Sequence, residues 1–270
     1  MRLGIGTYSF MWSIGFPGAR PTHAMDAFAL LACAVELGVG VVQFGPNLPL
    51  ARLDSSELSR IVEQARVSNI SIEYGTRGLE LTHLRKEIAF ARVLSSTLLR
   101  TIPDFAVENM PTISDLAGQL KSILPNLEKN GVRLAIENGN IPADEMAELI
   151  KKINSPWVGI TLDTANSLEI PEGTRQVVEA LAPYTFSFHV KDFVVRRAWH
   201  RMGFVVEGRP AGRGQMDVQW ILQRLNAAGA NPNAILELWP PEQMQLESTI
   251  ALEHAWAKES VQYLRKYLPN

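Results

Sequence analysis

The sequence predicts a single (β/α)₈ TIM barrel, and three observations lead to this prediction. The chain has 270 residues, close to the roughly 250 that are typical of such a barrel. Short apolar runs with strand character alternate along the whole chain with stretches of helical periodicity. Alternation of this kind indicates a parallel sheet, and eight such units close most naturally into a barrel. We therefore expect one domain over residues 1–270.

Each predicted element follows from local pattern and punctuation. The predicted strands cover residues 3–8, 39–44, 70–74, 97–101, 132–137, 157–162, 185–190 and 234–238. The predicted helices cover residues 24–37, 55–67, 79–94, 113–129, 143–153, 175–181, 218–228 and 250–267. Asp54, with Glu57 three residues later, forms a capping box at a helix start. Gly38 and Gly131 follow helical stretches, where left-handed caps are expected.

Composition excludes several classes of protein. Lys+Arg 26 against Asp+Glu 28 gives a net charge of −2, which argues against a nucleic-acid-binding surface or a polybasic membrane binder. No apolar run reaches the roughly 20 residues of a membrane helix, and the first residues do not resemble a signal peptide. The single cysteine, Cys33, cannot form an internal disulfide. A cytoplasmic location is expected.

Polar side chains end four consecutive strands in the second half of the chain. They are Glu137, Asp163, His189 and Glu237. The carboxyl ends of barrel strands are where catalytic groups gather, so we expect these four to meet at the mouth of the barrel. Side chains two residues apart in a strand share a face. The inward layer below the four is therefore expected to contain Ala135, Thr161, Ser187 and Ile235.

These four side chains favour a divalent metal site. A carboxylate at one strand end is more often a cap or an ion-pair partner than a ligand. Three carboxylates and an imidazole at equivalent depth, however, would repel one another without a cation. Three oxygens and one nitrogen suit Mn²⁺ best, with Mg²⁺, Co²⁺ and Zn²⁺ as other occupants. The sequence contains neither a phosphate-binding loop nor a Gly-x-Gly-x-x-Gly turn after the first strand, so no nucleotide cofactor is expected.

The order Glu, Asp, His, Glu on the last four strands resembles the xylose isomerase-like superfamily, and within it the sugar phosphate isomerase/epimerase branch that includes ketose 3-epimerases. The strings that carry the resemblance are Ile136-Glu137-Asn138, Leu162-Asp163-Thr164, His189-Val190-Lys191-Asp192 and Gly212-Arg213-Gly214-Gln215-Met216-Asp217. The resemblance implies a metal-dependent isomerase or epimerase of a small sugar, sugar phosphate or sugar acid. Glu137 and Glu237 would then transfer a proton through a metal-stabilised enediolate, with Asp163 and His189 as ligands only.

One position departs from the family pattern. Many members of the epimerase branch have a histidine three residues after the metal-binding aspartate, whereas this chain has Asn166 after Asp163. An asparagine donates a hydrogen bond but carries no transferable proton. A metal-dependent lyase or decarboxylase of a 3-oxo sugar or oxo-sugar acid is therefore a second candidate. A sugar-binding barrel without turnover is a third.

Further residues are predicted to contact the substrate near the barrel mouth. They are Asn166, Lys191, Glu73, Arg100 and Arg213. Asn138 and Asn140 are expected to position the loop after the fifth strand through hydrogen bonds from side chain to backbone. The predicted partner is a small carbohydrate, with no nucleic acid and no membrane, and a homodimer is left open.

Overall fold

The computed structural model describes residues 1–105, 110–170 and 172–269. Eight parallel strands close into a barrel, which confirms the predicted fold class. In chain order they are β1 (Leu3–Gly6), β2 (Val41–Phe44), β3 (Ser71–Arg77), β4 (Leu98–Ile102), β5 (Arg133–Glu137), β6 (Val158–Asp163), β7 (Thr185–Val190) and, after a hairpin of two strands described below, β10 (Asn233–Leu236). Pairing of Leu3 in β1 with Ala234 in β10 closes the ring.

Helices surround the barrel where the apolar periodicity predicts them. Those that follow the barrel strands are α2 (Ala27–Leu37), α3 (Ser55–Val67), α4 (Leu81–Val93), α5 (Ile113–Lys121), α6 (Leu124–Asn130), α7 (Ala143–Ile153), α8 (Thr174–Leu181), α9 (Val218–Ala227) and α10 (Leu246–Leu264), and α1 (Met11–Ile14) is a short turn after β1. The capping box of Asp54 and Glu57 is present. Gly38 and Gly131 adopt left-handed backbone angles, with φ of 67° and 65°, as their places after α2 and α6 require.

The prediction of one continuous helix over residues 113–129 is wrong. The segment divides into α5 and α6, and Pro125 lies in the first turn of α6. A proline has no backbone N–H and cannot make the hydrogen bond to the carbonyl four residues earlier. The helix therefore breaks and restarts just before this residue.

A two-stranded antiparallel hairpin between the seventh and eighth barrel strands was not predicted. Its strands are β8 (Asp192–Arg197) and β9 (Phe204–Arg209), which pair from Asp192–Arg209 to Arg197–Phe204. The carboxylate of Asp192 accepts hydrogen bonds from the backbone N–H groups of Gly212, Gly214 and Met216. The hairpin and the glycine-containing turn that follows it are thus fixed by one buried aspartate.

The apolar core lies between the barrel and its helices. Val42, Ile136, Leu162, Phe188 and Leu236 are fully buried there. The side chains two residues before Glu137, Asp163 and His189 face the barrel interior instead. These are Ala135, Thr161 and Ser187, which are also fully buried. Within the part of the chain that the structure describes, no helix has the length and apolar character required to cross a membrane.

Candidate metal centre and active-site cavity

The four side chains at the ends of the last barrel strands converge on one point. Glu137, Asp163 and His189 each offer a ligand atom, and these atoms lie within 4.8 Å of one another. From Nδ1 of His189, the nearest carboxylate oxygens lie at 3.4 Å (Glu137), 3.6 Å (Asp163) and 3.3 Å (Glu237). All four side chains are buried. The strand-end geometry therefore brings Glu137, Asp163 and His189 together as a candidate ligand set, with Oε1 of Glu237 beside the imidazole.

Two atoms of this cluster have no hydrogen-bond partner among the described residues. They are Nδ1 of His189 and Oε1 of Glu237, both buried. Buried polar atoms are almost always paired, so an orphaned pair facing the same point requires an explanation. A divalent cation satisfies both atoms at once, because imidazole nitrogen and carboxylate oxygen are its usual ligands. The residues present thus fit a divalent metal ion.

Lysine and arginine side chains partly balance the cluster's negative charge. Lys191 Nζ lies 2.8 Å from Oδ2 of Asp163 and 2.9 Å from Oε2 of Glu237. The buried Arg100 guanidinium pairs with Oε2 of Glu137. Burial alone would raise the pKa of Asp163, but the nearby Lys191 ammonium and His189 outweigh it and hold that pKa below its ordinary range. Asp163 is therefore ionised at neutral pH.

The pKa of His189 is moved in the opposite direction. Burial would lower it, but the nearby carboxylates of Glu237, Glu137 and Asp163 together raise it above its ordinary value. Burial would likewise lower the pKa of Lys191, and Asp163 and Glu237 raise it instead. Both shifts have one cause, the concentration of negative charge at this point, which attracts cations.

The loops after β5 and β6 hold the acidic side chains of the cluster in place. The amide of Asn138 donates to the carbonyl of Asp163 at 3.0 Å and accepts from its N–H at 2.6 Å. The Asn140 amide donates to the carbonyl of Phe105. These bonds confirm that both asparagines hold the loop after β5. Oδ1 of Asp163 also accepts from the N–H groups of Ala165 and Asn166, so one of its oxygens is used by the backbone and the other faces the cluster.

A cavity of about 370 Å³ opens directly above the cluster. Its polar wall consists of Tyr8, Arg77, Arg100, Glu137, Asn166, Lys191 and Glu237, and its apolar wall of Met11, Ile102, Ala165, Leu238 and Trp239. Asn166 Nδ2 donates to Oε1 of Glu137 at 2.6 Å, and its Oδ1 lies 3.3 Å from Lys191 Nζ. Asn166, Lys191 and Arg100 therefore lie where the sequence analysis placed substrate contacts.

The other two residues predicted to contact substrate do not lie on this cavity. Glu73 is buried inside the barrel, where it accepts hydrogen bonds from Gln43 and Asn233. Its register partner in β2 is Gln43. Arg213 lies on the protein surface, with its side chain 70% exposed, and pairs with Glu259 at 2.5 Å. The Arg213 side chain points away from the cavity because the backbone N–H groups on either side of it, those of Gly212 and Gly214, donate to Asp192.

Two polar residues of the cavity wall were not predicted from the sequence. Tyr8 follows β1 and Arg77 ends β3. Tyr8 is half-buried, and this burial raises the pKa of its phenol. Arg77 is exposed to the cavity opening. A position at the end of a barrel strand is the feature that could have indicated a role for each of them. Tyr8 ends the first predicted strand, but the third predicted strand stops at residue 74, so Arg77 lies outside it.

Comparison with known proteins agrees with this architecture. The family model described as "Xylose isomerase-like TIM barrel" matches residues 31–267. The chain belongs to the xylose isomerase-like TIM barrel family. One curated relative with a similar sequence is the 3-oxo-isoapionate decarboxylase of Pectobacterium atrosepticum, which is 31% identical over 265 residues, covering 98% of this chain and 95% of the relative.

Two solved structures share the fold at low sequence identity. D-psicose 3-epimerase from Clostridium cellulolyticum H10, solved with D-tagatose, superposes with a TM-score of 0.76 at 14% identity, covering 99% of both chains. The IOLI protein, solved with a zinc atom, superposes with a TM-score of 0.74 at 16% identity, covering 100% of both chains. These likenesses extend the whole length of the barrel.

Proposed function

We propose that this protein is a divalent-metal-dependent decarboxylase of a small 3-oxo sugar acid. The observation that carries the proposal is the 31% identity to a 3-oxo-isoapionate decarboxylase over 98% of the chain. The resemblance to ketose 3-epimerases had favoured an isomerase or epimerase, with a decarboxylase second. The similarity to the decarboxylase and the charges of the cavity reverse that order.

The charge of the cavity suits a substrate that carries a carboxylate. Arg77, Arg100 and Lys191 line the same space as the cluster of Glu137, Asp163 and Glu237. With a divalent cation bound, the positive charges in the cavity exceed the negative ones by two. A neutral ketose would leave this excess uncompensated, whereas a sugar acid brings an anion to it. Arg77 lies at the opening and is exposed, so we assign it the first contact with the substrate carboxylate.

The proposed metal site consists of Glu137, Asp163, His189 and Glu237, with Mn²⁺ as the favoured ion. Its support is the pair of orphaned atoms on His189 and Glu237, together with the donor set. When bound, the cation supplies positive charge that stabilises the enolate oxygen formed from the 3-oxo group. The protein's own residues supply the orientation of the substrate and the proton.

Loss of CO₂ from a 3-oxo acid breaks the bond between the carboxylate carbon and its neighbour. The electron pair of that bond moves into the adjacent carbonyl and forms an enolate, and CO₂ leaves. The carbon that has lost CO₂ then takes up one proton. Asn166 holds Glu137 through its amide and cannot itself supply that proton, in agreement with a reaction that needs no second acid–base residue at this position.

Tyr8 is the residue to which we assign proton delivery. Its phenol lines the cavity, and burial raises its pKa, so it keeps its proton at neutral pH. The three donor protons of Lys191 are directed at Asp163, Glu237 and Asn166. The arginines of this wall do not give up a proton, so among the described residues the Tyr8 phenol is the donor whose proton can be transferred. Loss of CO₂ requires only a single proton transfer, whereas epimerisation requires removal and return.

A 3-epimerase remains the second candidate, because Glu137 and Glu237 both line the cavity. Two carboxylates on opposite sides of a bound ketose can remove a carbon-bound proton and return it to the other face. Product analysis separates the two reactions. A decarboxylase releases CO₂ and gives a lighter product, whereas an epimerase conserves the mass of its substrate.

The deciding experiment incubates Mn²⁺-loaded protein with 3-oxo-isoapionate and, in parallel, with D-psicose and D-fructose. We expect one CO₂ for each 3-oxo-isoapionate consumed and no interconversion of the ketoses. Glu237→Gln should reduce turnover by several orders of magnitude. The matched control is Glu148→Gln in α7, whose side chain is 57% exposed, and it should retain wild-type turnover.

Three outcomes would contradict this proposal. Interconversion of the ketoses without CO₂ release would establish the epimerase instead. Binding of the sugars without turnover of any would support a non-catalytic sugar-binding barrel. Full activity of Glu237→Gln would show that the proposed cluster does not perform the chemistry.

A further inference from the structure

A line of buried polar side chains continues from the metal-site cluster into the barrel interior. Nε2 of His189 lies 2.8 Å from Oε1 of Gln43, and Nε2 of Gln43 donates to Oε2 of Glu73 at 2.9 Å. The exposed fractions of His189, Gln43 and Glu73 are 0%, 3% and 5%. The line thus joins β7 to β2 and β3 across the inside of the barrel, away from the substrate cavity.

Glu73, at the inner end of this line, determines which group donates and which accepts in each of its hydrogen bonds. Glu73 accepts from Asn233 Nδ2 at 2.8 Å and from Ser187 Oγ at 3.2 Å, in addition to Gln43. All three contacts come from donors, so the Glu73 carboxylate acts only as an acceptor. Gln43 must therefore direct its amide N–H groups towards Glu73 and its carbonyl oxygen towards His189.

This orientation selects one tautomer of the histidine. A neutral imidazole has one N–H and one unprotonated nitrogen. Because the Gln43 carbonyl can only accept, the proton lies on Nε2 and the lone pair on Nδ1. Nδ1 is the atom that faces the carboxylates of Glu137 and Glu237 at 3.4 and 3.3 Å and that has no hydrogen-bond partner among the described residues. It is thus left free to bind a cation.

We propose that Glu73 and Gln43 are positioning residues that hold His189 in its metal-binding tautomer. The inference rests on the proposed metal site, of which neither residue is a proposed ligand. Glu73 was predicted to contact substrate, and this assignment gives its buried carboxylate a different task. Outer residues that orient a metal-binding histidine typically change metal affinity about 10–100-fold when altered. An effect of that size is expected here.

The test measures the Mn²⁺ dissociation constant by calorimetry in variants of nearly constant volume. In Glu73→Gln, the new amide N–H faces a side chain that itself donates a hydrogen bond to this position. Gln43 can relieve this conflict by turning its carbonyl oxygen towards residue 73 and its N–H towards His189, and His189 then loses its hydrogen-bond acceptor. We expect Mn²⁺ binding about 10-fold weaker or more. The double swap Gln43→Glu with Glu73→Gln places a carboxylate beside His189 and an amide donor behind it. It should restore affinity to within about threefold of wild type, because the acceptor for Nε2–H returns.

Thr161→Val is the matched control. Thr161 is fully buried in the same interior layer, and its Oγ1 has no hydrogen-bond partner among the described residues. The substitution keeps the volume and leaves the line through Gln43 intact, so Mn²⁺ affinity should not change. If Glu73→Gln does not fold, Gln43→Leu removes the acceptor directly and should show the same loss.

Nitrogen-15 NMR of the Zn²⁺-loaded protein gives a readout independent of affinity and activity. The wild type should show a proton on Nε2 of His189, identified by its absence in His189→Asn, and this signal should be lost or shifted in Glu73→Gln. Wild-type Mn²⁺ affinity in Glu73→Gln, or an unprotonated Nε2 in the wild type, would overturn the inference. Absence of Mn²⁺ binding in the wild type would instead reject the metal site itself.

Discussion

Lys191 donates to Asp163 between the ends of two neighbouring strands, with Nζ and Oδ2 2.8 Å apart. Asp163 is fully buried, and the lysine side chain is only 18% exposed. The same ammonium also contacts Glu237. In the metal-free protein, this lysine is therefore a main source of positive charge for two buried carboxylates.

Removal of that charge should destabilise the metal-free protein. Lys191→Met leaves two buried carboxylates without their partner, a change that typically costs about 3–5 kcal/mol. Added Mn²⁺ should recover part of the loss, because a second cation then neutralises the same oxygens. Urea unfolding with and without Mn²⁺ measures both effects. Lys152→Met, which removes an exposed ion pair with Glu148, should cost about 1 kcal/mol at most, and an equal loss in both variants would contradict the expectation.

Tyr8→Phe should slow the reaction without preventing substrate binding. Loss of a positioned proton donor typically lowers turnover by about 10²–10⁴-fold. The ring and its packing are kept, so KM and Mn²⁺ affinity should stay near wild-type values. Steady-state kinetics of CO₂ release separate kcat from KM. Unchanged kcat would show that another group delivers the proton.

Arg77→Gln should weaken binding of the sugar acid. A charge-assisted hydrogen bond to a carboxylate contributes about 1.5–3 kcal/mol, so KM should rise by about 10- to 150-fold with little change in kcat. Addition of guanidinium to the assay should restore part of the activity. The matched change Arg66→Gln, in an exposed pair with Glu63 on α3, should leave KM unchanged. An effect on kcat alone would move Arg77 from substrate binding to the chemical step.

Glu253 should make stability depend on pH. This buried side chain of α10 accepts from the N–H groups of Trp12 and Ser13 and from the Ser13 hydroxyl. Burial raises its pKa, although these bonds oppose the shift. The folded protein therefore binds the proton more tightly than the unfolded chain. The pKa of a glutamate in the unfolded chain is about 4.3. As the pH rises from this pKa through the higher pKa of Glu253 in the folded protein, the free energy of unfolding therefore falls.

Glu253→Gln removes this titration but places an amide N–H against backbone donors. The variant should be about 1–3 kcal/mol less stable than wild type at pH 4, and the difference should narrow by pH 7. Urea unfolding of both proteins at each pH measures it. A difference that stays constant or widens with pH would contradict the raised pKa.

The barrel could be predicted because its signals are local. Strand alternation and helix caps such as Asp54 and Gly38 depend on neighbouring residues, and the strand-end positions of Glu137, Asp163, His189 and Glu237 follow from the barrel itself. Gln43 could not be assigned a role, because its contact with His189 crosses the barrel interior between strands distant in the chain. A glutamine among the apolar residues of a predicted strand indicates a buried polar contact, but the local sequence does not indicate that the contact is with His189.

The hairpin and Arg213 show a second reason for incomplete prediction. A glycine-flanked arginine near the end of a barrel suggests an anion site when only its neighbours are known. In the fold, Asp192 occupies the backbone N–H groups of that turn, and the arginine side chain is left at the surface. One tertiary contact, invisible to local pattern, decides which way the turn faces.

Closure of the ring by β1 and β10 has a consequence for folding. Leu3 pairs with Ala234, so β1, the first strand to be synthesised, can complete its pairing only after β10, the last strand, has been synthesised. Glu237 follows β10 directly, and its N–H bonds the carbonyl of Val190. Glu237 therefore reaches His189 when β10 pairs with β7, whereas closure of the ring joins strands from the two ends of the chain and has the larger loop-closure entropy. The proposed metal site thus depends on the pairing of β10 with β7, and the pairing of β1 with β10 then closes the barrel around it.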